Sequence, residues 1–361
     1  MEAVELARWR MHTVRLTGAP FATPEEVVGW LTAVQSQDYA PAVWAVGQRL
    51  NGVTDAVVDT AFAEGGVLRT HVLRPTWHFV LPDDIRWLLA LTGPRVHALN
   101  APLYRQEGLD AATRVRTEPI IERALAGGRQ LTRVELAERL AADGVEAQRF
   151  RLAYILMHAE LEGLICSGTM RGKQHTYALL DERAPGGRTL TRDDALAELV
   201  LRYFTSHGPA TVKDCTTWAS LTMADVRAGL EQVGDRLESV EAHGMTFWAA
   251  PRESVPEAPS PRVRMLQGYD EYIVGYTQSK PLLDLADRAN AMRGRPVANG
   301  VLLLDTQVAG HWKRTISASR VIVEVALYRP FDAAETAALH AEVESHGRFL
   351  DRTAEVVTRL L

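Results

Sequence analysis

Only two cysteines, Cys166 and Cys215, occur in 361 residues, far apart and without a CxxC pair. A disulfide framework and a cysteine-rich zinc site are therefore excluded, and a reducing compartment is the simple setting. No window offers the ~18 uninterrupted apolar residues that read as a membrane span, and Met1 is followed by Glu2 rather than by a basic, apolar leader. A soluble cytoplasmic protein is expected, neither secreted nor bound to a membrane. Lysine is scarce, standing only at 173, 213, 280 and 313, and every other cation is arginine. Arginine and alanine richness is what GC-rich coding produces, and it carries no functional message by itself. Nucleotide-binding glycine motifs are missing, and the 11 histidines include neither HExxH nor HxH. No cofactor and no metal enzyme is expected. A net charge of −5 argues against wrapping nucleic acid over the whole surface, but leaves room for a local basic groove.

What is present is ordinary globular material, 47% hydrophobic and 24% charged, in a chain long enough for roughly two to four domains. Its pattern is mainly α with β wings. A winged helix leaves three amphipathic segments of about ten residues, then two short strands around a polar turn. Residues 183–250 give that trace: "DALAELVLRYFTSHG", "TVKDCTTWASL" and "TMADVRAGLEQVGD", then "LESVEAHGMTFWAA" alternating about Gly244. Residues 117–181 repeat the order, with Thr132 and Glu135 as a capping box and a hairpin tip at Thr169–Gln174 that carries Arg171 and Lys173. A more divergent copy fits the N-terminal part. There Thr23-Pro24-Glu25-Glu26 starts a helix, and "VLRTHVLRPTWHFVLP" suggests a hairpin turning near Arg74-Pro75. "PRESVPEAPSP" reads as a linker. Beyond it, "RVRMLQGYDEYIVGY", "NGVLLLDTQVAGHWKR" and "RVIVEVALY" read as strands, followed by the helix "DAAETAALHAEVESHGRFLD". The expected organisation is three tandem winged-helix domains over 1–100, 101–182 and 183–250, and a β-rich domain, half-barrel in character, over 262–361.

The odd segment is "LTAVQSQDYAPAVWAV". An apolar helix from Pro24 runs into Gln35-Ser36-Gln37-Asp38 before Pro41 opens the next one. Within a helix, residues two apart point about 200° away from each other, whereas in extended chain they share a face. If the helix ends near Val34, Gln35 and Gln37 converge on one cavity, where two carboxamides can hold a water by accepting and donating together. The bland alternative is a polar inter-helix loop. His71 and His78, close together on the N-terminal hairpin, read as packing or hydrogen-bonding histidines.

"LTAVQSQDYAPAVWAVGQRL", "LRTHVLRPTWHFVLPDD", "YDEYIVGY" and "NGVLLLD…AGHWKR", in that order across almost the whole chain, resemble the AlkZ/YcaQ-like winged-helix DNA glycosylases. The family's active site is a Gln-x-Gln or Gln-x-Asp triplet, and Gln35-Ser36-Gln37 matches the first form. That form includes self-resistance enzymes of antibiotic producers acting on bulky adducts and interstrand crosslinks. Asp38 lies one residue too late for the second form and is a supporting residue at most. Two departures fall outside the triplet: "TQSK" after "VGY", and His311 within "AGHW". The resemblance implies a C-shaped body around double-stranded DNA and monofunctional hydrolysis of N7-alkylated purines. Gln37 would place the attacking water with Gln35 as partner, without metal or cofactor and without a second subunit. Arg171 and Lys173 are candidate DNA contacts, with Arg74 and Lys313 behind them; each also reads as a solvated surface charge. Two other readings compete: a non-enzymatic winged-helix regulator, and a protein-interaction module that suits the negative charge.

Overall fold

The computed structural model describes residues 1–252, 254, 258–287 and 300–361. The expected linker over 251–261 lies partly outside them. About half of the chain is helical.

Helix α1 (Ala3–Thr13) is followed by α2 (Pro24–Leu31), which starts where Thr23 and Glu26 close a capping box around a first-turn proline. α2 stops at Thr32, whose φ of 70° is left-handed and cannot continue a helix. The chain then extends as β1 (Val34–Gln35) and re-enters helix at α3 (Tyr39–Gly47), followed by α4 (Asp55–Glu64). The hairpin of β2 (Leu68–His71) and β3 (Trp77–Val80) forms about Arg74-Pro75, and β1 joins it antiparallel in the order β1-β3-β2. α5 (Pro82–Gln106) runs on through Pro94 and Pro102. The boundary expected between residues 100 and 101 therefore falls inside a continuous helix.

Next come α6 (Ala111–Leu125), β4 (Leu131–Thr132), α7 (Arg133–Ala142), α8 (Arg149–Leu161), β5 (Ile165–Ser167), β6 (Thr176–Leu179) and α9 (Leu180–Arg183). The capping box of Thr132 and Glu135 stands as expected; α6 begins earlier than expected because Asp110 caps it through the Thr113 N–H. This segment has its own apolar cluster, running from Tyr104 to Leu179 and centred on Leu125, Leu136, Leu140 and Ile155. The expected boundary at 182 and 183 lies within α9. α10 (Arg192–Ser206), α11 (Val212–Ala219) and α12 (Met223–Val233) then lead into the two-stranded β7 (Glu238–Ala242) and β8 (Met245–Ala249).

The C-terminal part is a five-stranded sheet, ordered β13-β12-β11-β10-β9. Its members are β9 (Val263–Leu266), β10 (Gly300–Leu304), β11 (Gln307–Ile316), β12 (Arg320–Leu327) and β13 (Thr353–Leu360). The strand reading of "RVRMLQGYDEYIVGY" holds only for β9. Asp270 accepts the Tyr272 N–H and turns the chain into the short α13 (Glu271–Val274). β13 was not anticipated: it pairs parallel to β12, and α14 (Ala333–Phe349) makes the crossover that parallel pairing requires. A second apolar cluster joins the N-terminal elements, α10–α12 and this sheet. Arg49 crosses that junction, buried and bidentate on buried Asp270 at 2.9 Å.

Candidate functional site

The triplet sits where the N-terminal sheet meets α13. Gln35 is opposite His78 in the β1–β3 register, and the Ser36 N–H extends the ladder by donating to Trp77 O at 2.8 Å. Gln35 is held at three points. Its N–H donates to Glu271 Oε1 (2.9 Å), its carbonyl accepts from Gln267 Nε2 (3.2 Å), and its side-chain Oε1 accepts from Arg74 Nη2 (2.9 Å). Gln35 and Ser36 are buried; Gln37 is half-buried and Asp38 exposed.

Arg74, the weaker candidate for a DNA contact, makes its bonds inside the protein. The short turn between β2 and β3 directs it inward, where Nη1 donates to Trp218 O and Nη2 also meets His78 Nε2 at 2.9 Å. A guanidinium only donates, so His78 Nε2 accepts and its proton sits on Nδ1, facing Thr76 O at 2.9 Å. Burial, then the neighbouring Arg74 charge, push the His78 pKa well below its ordinary range, so a neutral ring fits.

Glu271 is the other anchor. Wholly buried, it accepts from the Gln35 N–H, from Trp218 Nε1 at 2.8 Å and from His207 Nε2 at 3.3 Å. Burial pushes its pKa up, but the bond and charge of His207, together with Arg74 and the Gln35 N–H, outweigh it and bring the carboxyl down to about 2. Glu271 is therefore a fixed anion beneath β1.

Gln37 is held more loosely. Its Oε1 accepts from the Trp77 N–H at 3.4 Å, and its carbonyl accepts from Arg69 Nη2 at 3.4 Å. Arg69 also donates to Ser36 O at 3.0 Å and lies 4.4 Å over the Trp77 ring. Burial brings its pKa down to about 10. Trp77 Nε1 donates to Glu160 Oε1 on α8 (3.3 Å), and the same carboxylate pairs with His71. His71 and His78 are thus both hydrogen-bonding residues of the hairpin.

Next to Asp38 a cavity of about 460 Å³ is lined by Gln267, Tyr269, Trp312, Lys313 and Arg314, among others; neither Gln35 nor Gln37 is among its lining residues, so the expected convergence of the two carboxamides on one cavity is not seen there. Lys313 reaches its rim while paired with Glu324 at 2.8 Å. Asp38 precedes α3 without a side-chain capping bond. Arg171 is engaged by its own fold, donating to Glu135 Oε1 and Gln130 O at 2.8 Å. Lys173 is exposed on the β5–β6 turn, with no ion pair among the described residues.

Sequence reasoning did not single out Glu271, Gln267, Trp218 or Glu160. For Glu271 a signal existed: adjacent acids in the apolar run "YDEYIVGY" are costly to bury unless each has a partner.

A family model described as DNA glycosylase AlkZ-like matches residues 28–349. The class is thereby set: a DNA glycosylase, a hydrolase that breaks N-glycosyl bonds. The chain belongs to the AlkZ-like DNA glycosylase family. An interstrand DNA cross-link repair glycosylase of Streptomyces sahachiroi is 26% identical over 321 residues, covering 84% of this chain and 86% of the relative. The solved structure of Streptomyces sahachiroi DNA glycosylase AlkZ has the same fold, with a TM-score of 0.81 and 22% identity over 100% of both chains. Among the described residues no helix is long and apolar enough to cross a membrane.

Proposed function

We propose that this glycosylase hydrolyses N7-alkylated purines in double-stranded DNA, with bulky adducts and interstrand crosslinks among its substrates, and that Gln37 and Gln35 are its catalytic residues. The observation that carries the reading is the unequal hold on the two carboxamides. Gln35 is fixed by Arg74, Glu271 and Gln267, while among the described residues half-buried Gln37 has one long bond to its side chain. Its Oε1 keeps a second lone pair, enough to accept a proton of the attacking water.

Neutral amides suffice because alkylation at N7 already makes the base a cation. The C1′–N9 bond breaks, and its electron pair neutralises the departing base. Water forms the new bond at C1′ and gives its proton to solvent. The protein positions that water and stabilises the oxocarbenium-like sugar. The cross-link repair named for the Streptomyces relative, the Gln-x-Gln form of the triplet and the cavity next to Asp38 support bulky lesions. A self-resistance role in an antibiotic producer fits the same substrates.

The domain reading goes with it: winged helices over about 1–100, 101–182 and 183–250, joined through the helices α5 and α9, and a β-rich domain over 262–361, forming a monomeric clamp on cytoplasmic DNA. α6–α7–α8 followed by β5–β6, and α10–α11–α12 followed by β7–β8, each have the order three helices then two strands. α2–α3–α4 with β2–β3 is the third such group. Family membership sets aside the regulator and adaptor readings.

The test is a duplex with a single N7-methylguanine, compared with the same duplex carrying guanine, each incubated with the protein and then treated with alkali. Breaks only at the methylated site are expected; equal turnover of both would sink the reading. Lys173 is the proposed phosphate contact. Lys173→Ala should weaken duplex binding and lower the log–log salt slope by about 0.9, the value for one phosphate contact. An unchanged slope removes it from the interface.

A further inference from the structure

Away from the triplet, two helices bring metal-ligand chemistry together. We propose that His97, His158 and Glu162 bind one divalent transition-metal ion of the zinc type, which pins α5 to α8. His97 stands on α5; His158 and Glu162 lie one turn apart at the end of α8. Both imidazoles turn Nε2 toward one carboxylate oxygen: Glu162 Oε1 is 3.0 Å from His97 Nε2 and 3.8 Å from His158 Nε2. The three ligand atoms all lie within 4.8 Å of one another, a spread that small side-chain movements close to tetrahedral coordination. His97 Nε2 is buried and, among the described residues, makes no hydrogen bond of good geometry, even to that nearby oxygen.

The rear of the His97 ring is also engaged, and a carboxylate lies near that of His158. His97 Nδ1 is 3.0 Å from Tyr104 OH, and His158 Nδ1 is 3.7 Å from Glu118 Oε1. A ligating histidine is commonly oriented by such a group on its other nitrogen. Arg114 is the nearby cation, and Glu118 and Glu162 are the nearby carboxylates. A cavity of about 320 Å³, lined by His97, Glu162, Gly93, Pro94 and Leu161 among others, gives room for a water as fourth ligand. The spacing on α8 is His-x-x-x-Glu, with the third ligand 61 residues earlier, so a search for HExxH passes over it. The site would brace α8, whose Glu160 holds Trp77 and His71 of the hairpin.

The experiment uses the untagged full chain, stripped with chelator, titrated with Zn²⁺ and separately with Co²⁺. One equivalent of zinc, a rise in the thermal midpoint and the intense visible bands of tetrahedral cobalt are expected. Glu162→Ala, at a half-exposed position, should abolish the bands and the thermal shift while its circular dichroism stays native. Tyr104→Phe, which removes the hydroxyl 3.0 Å from His97 Nδ1, should weaken zinc binding about 10- to 100-fold, the usual effect of losing an orienting partner. Absence of stoichiometric uptake by the native chain, or equal uptake by Glu162→Ala, overturns the proposal.

Discussion

Glu271→Ala is expected to cost about 3–5 kcal/mol of folding stability, the range for breaking a buried charge network by removing one partner. The size follows from the orphans it leaves: Trp218 Nε1, His207 Nε2 and the Gln35 N–H all lose their acceptor in a wholly buried place. Each buried donor left unsatisfied costs about 1–3 kcal/mol. Against a total of roughly 5–15 kcal/mol for an ordinary domain, the variant should show a clearly lower urea midpoint and melting temperature. A midpoint equal to the native one would show that the network contributes nothing.

The same residue sets an acid limit. Its folded pKa of about 2 lies below the ordinary 4.5, so ionised Glu271 stabilises the fold fully above that ordinary value. The contribution is lost as pH falls from about 4.5 to about 2 and the folded carboxylate finally takes up a proton. At about 1.4 kcal/mol per pH unit, the loss across that window is roughly 3 kcal/mol. Glu271→Gln has no such proton to take up and should flatten stability against pH over the window. A native-like acid slope in Glu271→Gln would assign the acid sensitivity to other groups.

Much of the local structure was legible because its causes are local. The pairs Thr23 and Glu26, and Thr132 and Glu135, both close capping boxes at the helix starts they announce. The polar run between Leu31 and Pro41 marked the break that releases Gln35 and Gln37 from a helix. What decides the surroundings of Gln35 is not local. Glu271 reaches it across 236 residues and Gln267 across 232, and no spacing rule links residues so far apart. Arg74 misled for a related reason. A cation on a hairpin turn reads as a surface group, but Trp218 and Gln35 supply acceptors that draw it inside. β13 was missed because only Ala354 and Val356 are even partly covered near its start, too faint an alternation to mark a strand.

Gln37→Ala is expected to lower the single-turnover excision rate about 100- to 1000-fold, the usual effect of removing one preorganised catalytic hydrogen-bonding group. Duplex affinity should stay within about twofold of native, since an uncharged side chain adds nothing to phosphate binding. Stability should change little, because Gln37 is half-buried and its side chain makes one bond of 3.4 Å. That combination, lost chemistry with retained fold and binding, separates a water-positioning residue from a structural one.

The decisive measurement is therefore excision from a duplex with one N7-methylguanine under single-turnover conditions, by the native protein and by Gln37→Ala at matched DNA occupancy. Alkali-labile abasic sites are expected with the native enzyme and almost none with the variant. Comparable rates from both would contradict this and move the catalytic centre away from Gln35-Ser36-Gln37.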